Sequence, residues 1–222
     1  MTGVADAAPM ETARAARTRE DILAVATTEF AEKGLTGARV DEIAARTRTT
    51  KRMIYYHFGS KEDLYVAVLE RAYAEIRQVE RDVHVDELEP REALRTLAMA
   101  TYDHHTTRAD FIRLVVIENI HAAVHLRRSA AILRENRTAI TVLERVIRRG
   151  VRDEVFRADV DEIDVHMMIS AYACFHVANR HTFGAIFGRD MLAPGVQQAH
   201  RRLIGDMVVA TMTDRSGLTA SR

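Results

Sequence analysis

The chain of 222 residues holds a single cysteine, three prolines, ten glycines and no tryptophan. With Cys174 alone, no disulfide can form within the chain, and nothing in its cysteine usage points to an oxidising compartment. Few Pro and Gly mean few strong breakers, so long helices can run uninterrupted. There is no excess of either charge: 32 basic residues face 32 acidic ones. That balance excludes a generally sticky polycation, and any nucleic-acid contact must come from a local patch. Long apolar runs are also missing. No stretch approaches the roughly 18 apolar residues of a membrane span, and the first twenty residues have no signal-peptide core. A soluble, cytoplasmic chain without a membrane partner is expected.

What is present is a helical pattern. Hydrophobic residues make up 47% of the chain, enough for a sizeable core. They recur at spacings of three and four, and no period-2 strand stands between turn residues. The spacing predicts an all-α protein. Residues 1–13 and 215–222 read as disordered tails. A first helix is expected from Thr18, as cap, to Gly34, burying Ile22, Leu23, Ala26 and Phe30. A short second helix turns Val40, Ile43 and Ala44 inward. A third, from about Thr50 to Gly59, buries Ile54 and Phe58. A fourth opens at Ser60 with Asp63 three residues on, a capping-box spacing. Later helices are expected near 90–106, 109–125, 127–134, 136–149, 161–186 and 196–212, with Gly150 as a stop and a domain boundary at about 77/78.

One segment breaks the charge balance. Between Ile43 and Lys61 there is no acidic residue, but Arg46, Arg48, Lys51, Arg52 and Lys61 are basic. On a wheel of 100° per residue, Ile54 and Phe58 of the third helix point one way and Arg52 and Tyr56 nearly the opposite way. Two short helices joined by a tight turn, the second with a basic and aromatic outer face, have the anatomy of a helix-turn-helix over about 39–58. Arg can read guanine O6 and N7, and Tyr can meet a thymine methyl or a phosphate. His57 lies at the groove edge. Lys61 and the first amides of the fourth helix suit a backbone phosphate. Arg14 and Arg17 are placed to act as an arm against the minor groove or backbone.

The stretch "ILAVATTEFAEKGLTGARVDEIAARTRTTKRMIYYHFGSKEDLYVAVLE" resembles the N-terminal domain of the tetracycline-repressor (TetR) family of one-component transcriptional regulators, over residues 18 to about 65. The resemblance implies a three-helix DNA-binding domain over 17–77 and a divergent C-terminal helical domain for ligand binding and dimerisation over 78–214. It also implies a homodimer on double-stranded, near-palindromic operator DNA, and a small-molecule effector that releases it. Carried over by position, Lys51, Arg52, Tyr55 and Tyr56 match DNA-reading positions, with Thr50 at the start of their helix, and His57 and Lys61 match phosphate-contacting ones. Two places depart from the pattern. The turn reads Arg48-Thr49-Thr50 where the family usually has Gly-Val-Ser, so either Arg48 takes a backbone shape that glycine adopts freely or the turn differs slightly. The second helix starts Ala38-Arg39 where Thr or Ser is common. A side-chain cap is lost there, and Arg39 is free to meet a phosphate.

In the C-terminal part, Tyr172, His176, Asn179 and Phe183 follow spacings of 4, 3 and 4, with Arg180 beside them. They read either as a ligand wall, Arg180 favouring an acidic group, or as core or dimer interface. Glu118, His121 and His125, with Asn119, form a second candidate ligand set. Two His four apart with a carboxylate is metal-ligand geometry, but no His-Glu-x-x-His motif or further cysteine supports it, so no metal and no cofactor is assigned. Apolar faces on the last two long helices suit a second copy of the chain. A metal-dependent helical enzyme is the rival class, but no Ser-His-Asp order or Gly-rich phosphate loop supports it. A DNA-binding dimer without an effector is the third reading.

Overall fold

Ala, Leu, Arg and Glu, all good helix formers, fill the chain. The computed structural model describes residues 7–213, and side chains from residue 13 onward except those at 138 and 139. Among the described residues there are ten α-helices and no strand. They are α1 (Ala7–Gly37), α2 (Val40–Arg46), α3 (Lys51–Phe58), α4 (Lys61–Arg81), α5 (Pro90–Thr107), α6 (Ala109–Ile120), α7 (Ala130–Arg152), α8 (Glu162–Ala178), α9 (Arg180–Phe187) and α10 (Pro194–Thr213).

The chain divides into two compact units. One takes the chain to Ala72 together with Arg113–Ala130; the other takes Tyr73–Ile112 and the chain from Ala131 onward. The cut between these units falls inside α4, a few residues before the expected 77/78, and the chain returns to the first unit from Arg113 of α6 onward.

The first unit is built on the expected stripe. Ile22, Leu23, Ala26 and Phe30 of α1 are buried, with Val40, Ile43, Ala44, Ile54 and Phe58 from α2 and α3 and Leu64, Tyr65, Val68 and Leu69 from α4. Phe30 and Tyr65 meet edge to face with centroids 5.1 Å apart, and the Arg19 guanidinium lies 4.9 Å over the Phe58 ring. Each large side chain so buried contributes about 1.5–3 kcal/mol. α1 does not start at Thr18. Its Ala- and Arg-rich sequence carries the helix back to Ala7, and the Thr18 hydroxyl donates to Arg14 O inside it. Arg14 and Arg17 are therefore exposed helical residues and not a flexible arm, and residues 7–13 are not a disordered tail. The rest of the expected tails, 1–6 and 215–222, lies outside the described residues. Gly34, at φ 66°, breaks the helix where expected.

The second unit packs α5 against α8 and α10, around Leu94, Leu97, Tyr102, Val146, Ile169, Ile204 and Val208. Here the sequence reading needs three corrections. The segments expected at 127–134 and 136–149 merge from Ala130 onward into one helix, α7; Asn136, mid-helix, simply bonds back to Ile132 O. Gly150 does not stop α7, which continues to Arg152. The Phe156 ring lies against Gly150, and Gly150 O accepts from the amides of Val155 and Phe156 at 2.7 and 2.9 Å. The single helix over 161–186 is two, α8 and α9, parted at Asn179 (φ −102°, ψ 4°).

Candidate nucleic-acid interface

The α2–α3 connection is closed by backbone bonds. Thr49 N–H donates to Ala44 O at 3.1 Å and Arg48 N–H to Ala45 O at 3.4 Å, the two bonds of a Schellman motif. The residue that must turn left-handed in that motif is Arg48, at φ 52°. The strained arginine expected from the sequence is there. Thr50 is the N-cap of α3, its hydroxyl accepting from Met53 N–H at 3.2 Å. A hydroxyl so committed is a cap first, whatever else Thr50 touches.

α3 has the two faces predicted. Ile54 and Phe58 are buried, whereas Lys51, Arg52, Tyr55 and Tyr56 are exposed and His57 is half-buried. Tyr56 is 79% exposed, an unusual setting for an aromatic ring on an eight-residue helix. Its ring leans edge-on against His57, centroids 5.5 Å apart, which fixes where both can reach. Lys51 Nζ lies 3.2 Å from Asp41 Oδ2, so part of its charge is met from α2. Arg52 has no such neighbour among the described ion pairs and presents an open guanidinium fork.

α4 opens with the expected box: Asp63 N–H donates to Ser60 Oγ at 3.0 Å, and Ser60 Oγ–H to Asp63 Oδ2 at 2.6 Å. The Ser60 hydroxyl, with Arg128 at 2.7 Å, holds the Asp63 carboxyl below its ordinary pKa. Lys61 reaches across to Thr36 O at 3.4 Å, so its ammonium sits beside the α1–α2 turn.

Glu29 is the residue the sequence reading passed over. It is 2% exposed on α1, and its Oε1 accepts from Arg39 N–H at 3.1 Å and Lys33 Nζ at 2.8 Å, with Arg46 3.8 Å from Oε2. Burial alone would raise this carboxyl, but the bonds from Lys33 and Arg39 and the charges of Lys33 and Arg46 outweigh it and the net shift is downward. Glu29 thus anchors from α1 the main-chain amide of Arg39, the N-cap of α2, whose own side chain makes no cap bond. The signal was an acidic residue in register with Ile22, Ala26 and Phe30. The Arg39 side chain is left exposed.

The family described as "Bacterial regulatory proteins, tetR family" matches residues 22–68, and "Tetracyclin repressor-like, C-terminal domain" matches residues 90–208. The chain is 34% identical over 178 residues to the HTH-type transcriptional repressor NicS of Pseudomonas putida, covering 80% of this chain and 84% of NicS. The chain belongs to the TetR family. It is a DNA-binding transcriptional regulator. Among solved structures, the regulator SCO4942 of Streptomyces coelicolor is similar at TM-score 0.68 and 27% identity, covering 88% of this chain and 98% of that one. A tetR-family protein from Rhodococcus RHA1 shares the fold at TM-score 0.71 and 17% identity, over 88% and 96% of the two chains.

In this TetR-family chain the C-terminal candidates do not assemble as the spacing suggested. α6 stops at Ile120, because Ala122 and Ala123 turn left-handed and bring His125 and Leu126 back to Glu118. Glu118 Oε1 meets His125 Nδ1 at 3.0 Å and Oε2 accepts from Leu126 N–H at 3.0 Å. His125 also stacks edge-on to Tyr65, centroids 5.2 Å apart. His121 is exposed and stands apart from that pair, and Asn119 bonds to Val115 O of its own helix. These residues fold a turn of the first unit and present no common face. The second stripe is split by the break at Asn179. Tyr172 and His176 point into the unit, Tyr172 OH bonding His200 at 2.6 Å and His176 Nε2 bonding Tyr102 OH at 3.0 Å. Burial, helped by His200, lowers His176 to about 4, so it is a neutral hydrogen-bonding ring at ordinary pH. Phe183 instead stacks outward on Phe187 and Phe175, with centroids 4.5 and 6.0 Å away, and Arg180 Nε faces His181. Among the described residues no helix is long and apolar enough to cross a membrane.

Proposed function

We propose that this protein binds a near-palindromic operator as a homodimer, represses transcription by occupying it, and lets go when a small molecule enters its second unit. The observation that carries the reading is the outer face of α3, where Arg52, Tyr55 and Tyr56 stand exposed over buried Ile54 and Phe58. Arg52 reads a base and Tyr55 and Tyr56 meet thymine methyls or phosphates, while Lys61, His57 and the Arg39 side chain hold the backbone. Repression is supported by the relatives: NicS and, at 31% identity over 103 residues, SCO4008 of Streptomyces coelicolor are named repressors. Dimerisation is supported by apolar side chains left in water on the second unit, Ile163, Met167 and Phe175 on α8 and Leu203 and Met207 on α10. A DNA target supports a cytoplasmic location.

The test begins by selecting bound duplexes from a random pool. Arg52→Ala should then cost on the order of 1–3 kcal/mol against the selected site and relax its base preference. Lys61→Ala should weaken selected and scrambled duplexes alike and flatten the salt dependence by about one counterion. A wild-type protein that retains no duplex, or an Arg52→Ala protein that reads sequence unchanged, would sink the reading.

A further inference from the structure

The helical start of α1 turns Arg14 and Arg17 away from its buried stripe. On a wheel of 100° per residue, Arg17 lies about 180° and Arg14 about 120° from Ala26. Arg19 leaves from the other side. It falls within about 20° of Ala26, in line with the stripe. It is exposed all the same, because it stands one turn past Ile22, where the stripe ends. Its guanidinium carbon is 4.9 Å from the centre of the Phe58 ring.

Phe58 is the last residue of α3. Its ring meets His57 edge to face, centroids 6.3 Å apart, and His57 meets Tyr56 in the same way at 5.5 Å. A cation and three rings thus form one row, from α1 to the outer face of α3.

The row fixes the cation without engaging its donors. Attraction to a ring face acts on the charge of a guanidinium and leaves its N–H fork for another partner. Among the described residues no hydrogen bond or ion pair engages Arg19. Glu20, its neighbour in sequence, is met by Arg71 of α4 at 2.7 Å. Other cations of the same unit are partly neutralised: Lys33 and Arg46 lie 2.8 and 3.8 Å from Glu29, and Lys51 lies 3.2 Å from Asp41. Arg19 keeps a whole charge in a set place, and its planar fork matches two oxygens of a phosphate. An arginine over a phenylalanine has a structural use as well, covering the ring with its methylene stem. Covering a ring needs no charge, so the two roles come apart when the charge alone is removed.

We infer that Arg19 holds a phosphate of the DNA backbone beside the bases read by α3, a phosphodiester site on α1 set in place by Phe58. The inference rests on α3 being the DNA-reading helix, and it adds to that interface a residue from outside the helix-turn-helix. A phosphate contact carries no base information, so it raises affinity for every sequence alike.

Three substitutions separate the roles. Arg19→Met keeps an apolar stem over Phe58 and removes the charge, Arg19→Lys keeps a charge without the fork, and Arg19→Ala removes both. Each is bound to the duplex selected by the native chain and to a scrambled one, over a range of salt concentrations, with melting followed in parallel. Arg19→Met should melt with the native chain. It should bind both duplexes about eightfold more weakly per copy near 0.1 M salt, and the slope of log affinity against log salt should be shallower by about 0.9 per copy, the loss of one released counterion. Arg19→Lys should restore the slope. Arg19→Ala should bind as weakly as Arg19→Met and melt lower. Arg17→Met should lose about twofold or less, because salt screens a charge that touches nothing.

Native affinity and slope in Arg19→Met, with only the melting of Arg19→Ala impaired, would reduce Arg19 to a cover for Phe58 and overturn the inference. A loss confined to the selected duplex, or an Arg17→Met protein as impaired as Arg19→Met, would overturn it too. In each of these cases the native chain still selects a duplex, and the reading of α3 stands. A native chain that selects none fails that reading, and the phosphate site with it.

Discussion

Arg48 sits at the left-handed position of the turn between α2 and α3, at φ 52°, with its side chain exposed. An L-residue in that conformation costs about 1–2 kcal/mol relative to the right-handed region. Glycine does not meet that cost, but its freer unfolded chain gives back about 0.4–1 kcal/mol. Arg48→Gly should therefore stabilise the first unit by about 0.5–1 kcal/mol. Arg48→Ala, which keeps the Cβ and loses the same charge, should leave stability near that of the native chain. Thermal and urea unfolding of the three proteins, followed by circular dichroism, make the comparison. The Gly variant should melt about 1–4 °C above the Ala variant. Both should lose the same affinity for DNA if Arg48 touches a phosphate, so the difference between them isolates the backbone. If Gly and Ala melt together, or Gly melts lower, the strain is not stored at this residue and the turn is held by something else.

Gly150→Ala should destabilise the second unit by about 1–3 kcal/mol, because an added Cβ would overlap the Phe156 ring; Gly150→Ala with Phe156→Leu should recover part of the loss in the same melts. For Glu29, the folded carboxyl titrates below its ordinary value of 4.5, so its stabilisation is fully present above that pH and disappears as pH falls through the lower folded value. Glu29→Gln should accordingly melt below the native chain at pH 7, with the gap closing as pH falls below 4.5; a gap that stays constant with pH would mean that the charge of Glu29 is not what matters. Charging the exposed apolar face by Met167→Glu with Leu203→Glu should give a folded monomer in sedimentation and weaken operator binding at least tenfold; an intact dimer would move the interface elsewhere.

The first unit was legible because local and long-range signals agree there. Ile22, Ala26 and Phe30 keep a strict helical register, Gly34 and Gly59 punctuate it, and Ser60 with Asp63 announces α4. The α3 face followed directly from spacing. What could not be read was set by tertiary bonds. α6 ends because Glu118 draws back the Leu126 amide, and α8 ends at an asparagine with no glycine or proline beside it. The candidate stripe through Tyr172 and Phe183 assumed a straight helix and failed at that break. Arg77 and Glu80 of α4, buried side by side with Nη1 and Oε2 2.9 Å apart, were hidden for the opposite reason, since charged residues spaced three apart on a helix are nearly always in water.

The bond from Glu29 to Arg39 has a consequence for how such a protein changes its target. A helix beginning with Ser or Thr ties one side chain to two duties, holding the helix and facing the phosphates. Here the start of the helix is held instead at the Arg39 main-chain N–H, by a carboxylate ten residues away, and the Arg39 side chain makes no cap bond. Position 39 is therefore open to substitution: any residue that keeps an N–H preserves the anchor, and only proline forfeits it. If Arg39 holds a phosphate as proposed, the strength of DNA binding can be tuned through this site over generations without the fold having to follow.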